Sequence, residues 1–436
     1  MASMPSGATQ PTSQQSLKPE IPSAADRSGT VHTGSTLFEL PCIDNRERAL
    51  PIRQGDLTRL LLAQPGLTEI DRSRLEAFGK ILGAVFHSEF YEKLRELKEL
   101  YAPLDPDSDY VSLGRHSRAL SDDSDEVFLE PFATALERAN YRELDIDVIK
   151  EAVSAPNETG ITYVPDFSLF EHLSVWVRGY TQIARVRRTV LTRFRSETVH
   201  LAAYQRLIVA LKFKPGIDLG PLVRSDVLYL RMFKDVPHVD MEMHLPEQGT
   251  RPIMRWIDKA QFFSPLVIGI PTAVLKLAMA AIFSPMLLGG VAVGLIAAPV
   301  NSLFSHQRAK QRHLMGMIHR LYYLTLANNA SVLTRLIDSA EDEEYKEAML
   351  AYFFLWQASG EVPPLTVPVL DDRIEAFLEQ STHVSINFEV ADALKKLFRL
   401  GLVHRDAEGG LHALPIDEAL RTLDRVWDNE FGYAEA

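Results

Sequence analysis

Apolar positions recur at helical spacing over residues 75–101, LEAFGKILGAVFHSEFYEKLRELKELY, where Phe78, Ile81, Leu82, Val85 and Phe86 fall on one stripe. Pro103, Pro106 and the acids around Asp105 end that helix. PFATALERANYREL (131–144) and DIDVIKEAV (145–153) predict two shorter helices, the second with Asp145 as its N-cap. The texture changes near residue 156. HLSVWVRGY, AYQRLIVALKF and DVLYLRMF are rich in β-branched and aromatic residues and predict strands. Between the first two, ARVRRTVLTRFR (184–195) fits neither a period of two nor one of 3.6, and predicts no element.

A long apolar run follows. Between Lys259 and Arg308 lie 48 residues, of which Lys276 alone is formally charged. One membrane crossing needs about 20 residues, so the run divides at Ser284-Pro285 into two spans of a helical hairpin over 256–305. Arg251, Arg255 and Lys259 precede it and Arg308, Lys310 and Arg312 follow it, which places both chain ends on the cytoplasmic side. Beyond it, 306–360 predicts two helices broken near residues 338–342. The last segment, 361–436, runs helix (DDRIEAFLEQ), strand (VSINF), helix (EVADALKKLFRLGLV), a hairpin turning at Gly409-Gly410 and a final helix, the order of a winged helix.

Composition narrows the functions. A net charge of −12 opposes bulk nucleic-acid binding. From Asp371 to Ala436 there are fourteen acidic and seven basic residues, so the winged-helix-like domain is expected to meet a protein or to be structural. Cys42, the one cysteine, can form no internal disulfide. Residues 1–35, rich in Ser, Thr, Pro and Gln, predict a disordered tail that is neither a secretory signal nor an Arg-rich transit peptide. No P-loop, GxGxxG, GxSxG or HExxH occurs, and no cofactor is expected.

Two constellations could carry chemistry. In KDVPHVDMEMHLP (234–246), a strand's alternation puts His238, Asp240, Glu242 and His244 on one face. With Asp235 nearby, this is the candidate polar site. It reads either as the wet face of a half-buried strand or as part of a metal site completed by a partner strand. The second constellation is basic: Arg178, Arg185, Arg187, Arg188, Arg193 and Arg195 form a patch suited to anionic lipid or an acidic partner.

LPIRQGDL, FHSEFYEKLRELKELYAPLDPDSD, LERANYREL, VWVRGY, YQRLIVALKF and YLRMFKDVPHVDMEMHLP occur in that order before the apolar run. From about residue 48 onward the chain resembles the transmembrane protein 143 family, most densely at FKDVPxxDxE, with Phe233, Lys234, Asp235, Pro237, Asp240 and Glu242 in place. The resemblance implies a soluble N-terminal region, two adjacent membrane segments and a soluble C-terminal part, and it brings no activity. The expected fold is therefore α+β and mainly helical. It comprises the tail (1–35), a helical domain (36–155), an α+β region (156–255), the hairpin (256–305), helices (306–360) and the winged-helix-like domain (361–436). The expected protein is a two-pass membrane protein in a bacterial cytoplasmic membrane, or alternatively a mitochondrial one. Its partners would be the bilayer and a protein, and its role interaction or scaffolding. The alternative is a membrane-tethered, metal-dependent enzyme using Asp240 and Glu242.

Overall fold

The computed structural model describes residues 46–109, 124–154, 161–164, 166–188, 196–217, 223–238, 241, 251–254, 315 and 322–430. Two long helices form its spine. One, α2 (Glu69–Tyr101), follows the short α1 (Gln54–Leu62) and opens on a capping box. There the Thr68 hydroxyl accepts the Asp71 N–H at 3.1 Å while the Asp71 carboxylate accepts the Thr68 N–H at 3.2 Å. Its buried stripe of Leu75, Phe78, Leu82, Val85, Phe86 and Phe90 is the one the spacing predicts, with Ile81 at its half-buried edge. Helix α3 (Ser124–Arg138) starts before Pro131 rather than at it, and α4 (Ile146–Ser154) follows Asp145 as expected. Between them Arg142–Glu143, expected as helix, is instead the edge strand β1.

The strands β2 (Ile161–Val164), β3 (Phe170–Arg188), β4 (Ser196–Phe213), β5 (Leu228–Pro237), β6 (Arg251–Met254) and β7 (Thr325–Asn328) come next. Five of them make an antiparallel sheet in the order β1-β3-β4-β5-β7, while β2 and β6 pair separately. The sheet therefore draws strands from either side of the apolar run. Strand alternation splits its side chains between two cores. Trp176, Ile208, Ala210, Leu230 and Met232 join the large core with the helices. Val175, Val177, Leu207, Val209 and Leu211 join a second core capped by Leu144 and by Ile149 of α4.

The second spine helix, α5 (Ala330–Gln357), runs unbroken through residues 338–342, where the acidic run predicted a break. Lys346 pairs with Asp342 within the helix, and cations from other elements hold Glu344 and Glu347 just beyond, as described below. The C-terminal unit then comprises α6 (Val367–Thr382), α7 (Val390–Arg399), the wing strands β8 (Val403–Arg405) and β9 (Leu411–Ala413), and α8 (Ile416–Asp428). The strand expected at VSINF is misplaced. Leu365, before α6, bridges the wing at Leu411, whereas Ile386 bridges Glu47 near the chain start. Helix α7 stops at Gly401, whose φ of 69° an L side chain adopts only with strain.

One expectation is overturned. Among the described residues no helix is long and apolar enough to cross a membrane. The helices with the length, α2 at 33 residues and α5 at 28, are studded with charged residues. The expected hairpin at 256–305 lies outside the described residues. The two-span hairpin, the membrane localisation and the cytoplasmic placement of both termini are accordingly withdrawn.

Candidate functional site

Asp235 of the FKDVP motif sits inside β5 with φ 51°, in the left-handed region. Across the sheet, on the same rung of the ladder, Gly179 has φ 72°, and a Cβ there would lie 2.8 Å from the Gln205 side chain. The alternation slips at this rung. Phe233 and Val236, three residues apart, share the second core, and so do Leu207 and Tyr204. Aspartate tolerates the left-handed region because its short polar side chain bonds locally. The motif's aspartate thus has a backbone reason to be there. Asp235→Ala should cost about 1 kcal/mol in urea unfolding and Asp235→Gly close to nothing; equal losses would refute the backbone explanation.

His238 does not lie on a wet strand face. The strand ends at Pro237, and His238 and Met241 are both buried, at 5% and 3% exposure. A continuing strand would send residues three apart to opposite faces. Burial holds the His238 pKa below its usual value against the pull of Glu151. Asp240, Glu242 and His244 lie outside the described residues. Among the described residues no group of three or more His, Cys, Asp or Glu is placed to hold a metal ion.

The basic patch divides. Arg178 belongs to the body of the molecule: it donates to the Ala139 carbonyl at 3.1 Å and its guanidinium lies 5.1 Å from the Tyr141 ring centre. Arg185, Arg187 and Arg188 occupy the far end of β3, opposite Val199, Glu197 and Ser196 of β4. Arg193 and Arg195 lie outside the described residues.

Among the described residues, the largest assembly of ionisable groups is one the sequence reading passed over, EDEEYKE (341–347) in α5. Glu343, Glu344, Lys346 and Glu347 are all buried there. Lys396 of α7 reaches Glu347 at 2.6 Å and Asp392 at 2.9 Å. Asn140 donates to Glu347 at 3.1 Å. Lys346 holds Glu343, Asp342 and the Leu50 carbonyl, each at 2.9 Å, and the Leu50 N–H donates back to Glu343 at 3.0 Å. Arg138 of α3 grips Glu344 with both Nε and Nη2, reaches Glu89 at 3.0 Å and lies 4.4 Å over the Phe90 ring centre. Arg399 reaches the other Glu89 oxygen at 2.8 Å.

Burial pushes the Glu347 carboxyl up to about 7 although Lys396 and Asn140 pull it down. Burial alone would lower Lys396, but Glu347, Glu344 and Asp392 together raise it. Glu89 is held low by Arg399 and Arg138 despite its own burial. A signal for this cluster existed in the sequence. These charges sit in a helix flanked by Leu336, Ile337, Ala340 and Ala348, Met349, Leu350, and a helix apolar on all sides is a buried one.

Residues 46–50 bind this centre to everything around it. The Glu47 N–H donates to the Ser385 carbonyl at 2.9 Å and its carbonyl accepts the Asn387 N–H at 2.8 Å. Arg46 donates to the Ile386 carbonyl and pairs with Glu375, and Arg48 pairs with Glu389. The Glu47 carboxylate also accepts the Tyr180 N–H of β3 at 3.0 Å. The segment is a strap over the sheet, α5 and the C-terminal unit.

One further cluster has the makings of a nucleophile site. His172 Nε2 lies 3.2 Å from the Ser174 hydroxyl, near Asp125. Asp125, however, is taken up by Lys212, and Ser174 is buried at 6% exposure. The set fits packing better than catalysis.

Residues 192–331, about a third of the chain, match the model of a family described as protein of unknown function, DUF3754. The match takes in β4, β5 and β7, three of the five strands of the large sheet, together with β6 and the apolar run. No solved structure matches the chain.

Proposed function

We propose that this chain is an interaction or scaffolding module, neither an enzyme nor a nucleic-acid binder. The observation that carries the reading is the inward use of its clustered charge. Lys396 and Arg399 of α7, the helix that would enter a DNA groove in a winged helix, are turned to Glu347 and Glu89. A helix so engaged has few cations left for phosphates, and the surrounding domain is acidic. The kinship with the transmembrane protein 143 group, through FKDVPxxDxE, is part of this proposal and adds no activity to it.

Two measurements test the reading on the full chain. Anisotropy of a labelled 20-base-pair duplex should not change with added protein at low salt; salt-sensitive retention would overturn it. A photo-crosslinking residue at the exposed Gln182 or Lys395 should give a discrete adduct of reproducible mass in the native cell. Absence of any adduct from both positions would count against an interaction role.

A further inference from the structure

Residues 46–50 lie across the molecule as a peptide lies in a groove. Glu47 gives its N–H to the Ser385 carbonyl at 2.9 Å and takes the Asn387 N–H at 2.8 Å, a single parallel bridge to Ile386. Three residues on, two buried side chains of α5 read the main chain of Leu50. Glu343 accepts its N–H at 3.0 Å, and the Lys346 ammonium donates to its carbonyl at 2.9 Å. The Leu50 side chain is buried, the one in the segment that is. Arg46 pairs with Glu375 and donates to the Ile386 carbonyl at 2.7 Å, and Arg48 pairs with Glu389 at 2.7 Å. Main-chain pairing, with side chains selected at every second position, is how a protein surface recognises an extended peptide.

This contact differs from core packing in how it is held. The floor under the strap is satisfied without it. Lys346 also holds Glu343 and Asp342, each at 2.9 Å, so neither member of the buried pair is stranded when Leu50 leaves. The hold from above is light. One bridge stands in place of a ladder, and both guanidinium groups are partly exposed, where ion pairs contribute little. Segments held by few buried contacts open before the body does. The wall facing Arg46 holds three carboxylates. Asp371 stands one turn before Glu375 on α6, with Asp372 next to it. Burial and these two acids push the Asp371 carboxyl up to about 6 although Arg46 pulls it down.

We infer that the course of residues 46–50 is a peptide-binding groove, occupied here by the chain's own strap and open by exchange to a basic extended segment of a partner protein. That segment carries cations at two alternate positions and an aliphatic residue two further on. The inference rests on the interaction reading above and names its site and the partner's chemistry. Glu375 and Glu389 take the two cations, and Ser385 and Asn387 take the main chain between them. Glu343 and Lys346 take the main chain at the aliphatic residue. A tethered strap acts at an effective concentration of about a millimolar. A partner prevails by binding better, and a further cation beside the first position, where Asp371 and Asp372 stand, is the means the groove offers.

Two full-length variants lose the same two ion pairs from opposite sides. Arg46→Ala/Arg48→Ala loosens the strap and leaves the groove intact, whereas Glu375→Gln/Glu389→Gln loosens the strap and spoils the groove. Unfolding midpoints confirm that each is folded. The probe is a labelled peptide of residues 44–52, DNRERALPI, read by fluorescence anisotropy. It should bind the arginine variant at least tenfold more tightly than it binds the glutamine variant or the parent. The peptide carrying Arg46→Glu/Arg48→Glu should not bind, nor should the one carrying Leu50→Asp. The peptide carrying Asp44→Lys/Asn45→Lys should bind at least threefold more tightly than the first. Hydrogen exchange on the parent follows displacement with no substitution in the chain. With this lysine peptide at millimolar concentration, the Glu47 and Leu50 N–H groups should exchange at least tenfold faster. The Asn387 N–H should stay protected, because the peptide takes the place of Glu47. Equal binding by the two variants, binding by neither, or exchange unaltered by the peptide overturns the inference. So does a dimer of the parent that the peptide dissociates, because the groove would then serve a second copy's strap. Should every peptide fail while a crosslinker at Lys395 still yields an adduct, the groove inference falls and the interaction reading stands.

Discussion

Lys396→Met is expected to lower the unfolding free energy by about 3–5 kcal/mol, measured by urea unfolding at neutral pH, because it strands a buried carboxyl. Glu347 would keep Asn140 and lose Lys396, its one paired cation among the described residues, at a site 5% exposed. The double variant Glu347→Leu/Lys396→Met should recover most of the loss, since two apolar side chains can replace a buried ion pair at little cost. A single variant as stable as the parent would show that the pair carries no buried charge.

The same pair sets a pH dependence. The Glu347 carboxyl titrates near 7 when folded against 4.5 ordinarily, so the folded chain binds this proton more tightly than the unfolded one. Stability contributed through Glu347 is therefore greatest below about pH 4.5 and falls as the pH rises towards 7. Urea midpoints of the parent and of Glu347→Gln, compared from pH 5 to 8, should diverge in slope, with the glutamine variant the flatter. Parallel curves would place the proton elsewhere.

The second large effect is expected at Arg138. Its guanidinium holds Glu344, 1% exposed, through two nitrogens, and bridges to Glu89 beside Arg399. Arg138→Ala removes the fork and the stacking on Phe90 together, and should cost about 3–5 kcal/mol. Arg138→Lys keeps the charge without the planar fork and should still cost more than 1 kcal/mol, roughly. Thermal unfolding of both variants checks this, and a lysine variant equal to the parent would reduce Arg138 to a simple counter-charge.

Much of the scaffold was legible in the residues. The stripe of α2, Asp145 before α4 and the three β-rich segments all follow local rules that do not depend on distant partners. What was not legible was tertiary. The acids near 338–342 read as a helix break, yet α5 runs through them, and a sequence does not display the Lys396 and Arg138 that hold Glu347 and Glu344 just beyond from other elements. VSINF read as a short strand between two helices because strand propensity says nothing about its partner, and the described structure gives it a single bridge, from Ile386 to Glu47. His238 read as solvent-facing because alternation was extended past Pro237, where the strand had already ended. The apolar run misled in another way. Hydropathy suggested a membrane, while the described helices offer no span.

The strap has a consequence for the order in which the chain can fold. Leu50 meets Glu343 across 293 positions of sequence, and Arg46 meets Ile386 across 340. At about 5–20 residues per second, a ribosome needs tens of seconds to make the intervening chain. Through that time residues 46–50 have no carbonyl, carboxylate or ammonium of the far end to bind. Native closure of the strap is thus confined to chains made past residue 389, and contacts of such range are slow to form. A nascent chain halted before α5 would have its first helices in hand and none of the strap's far partners.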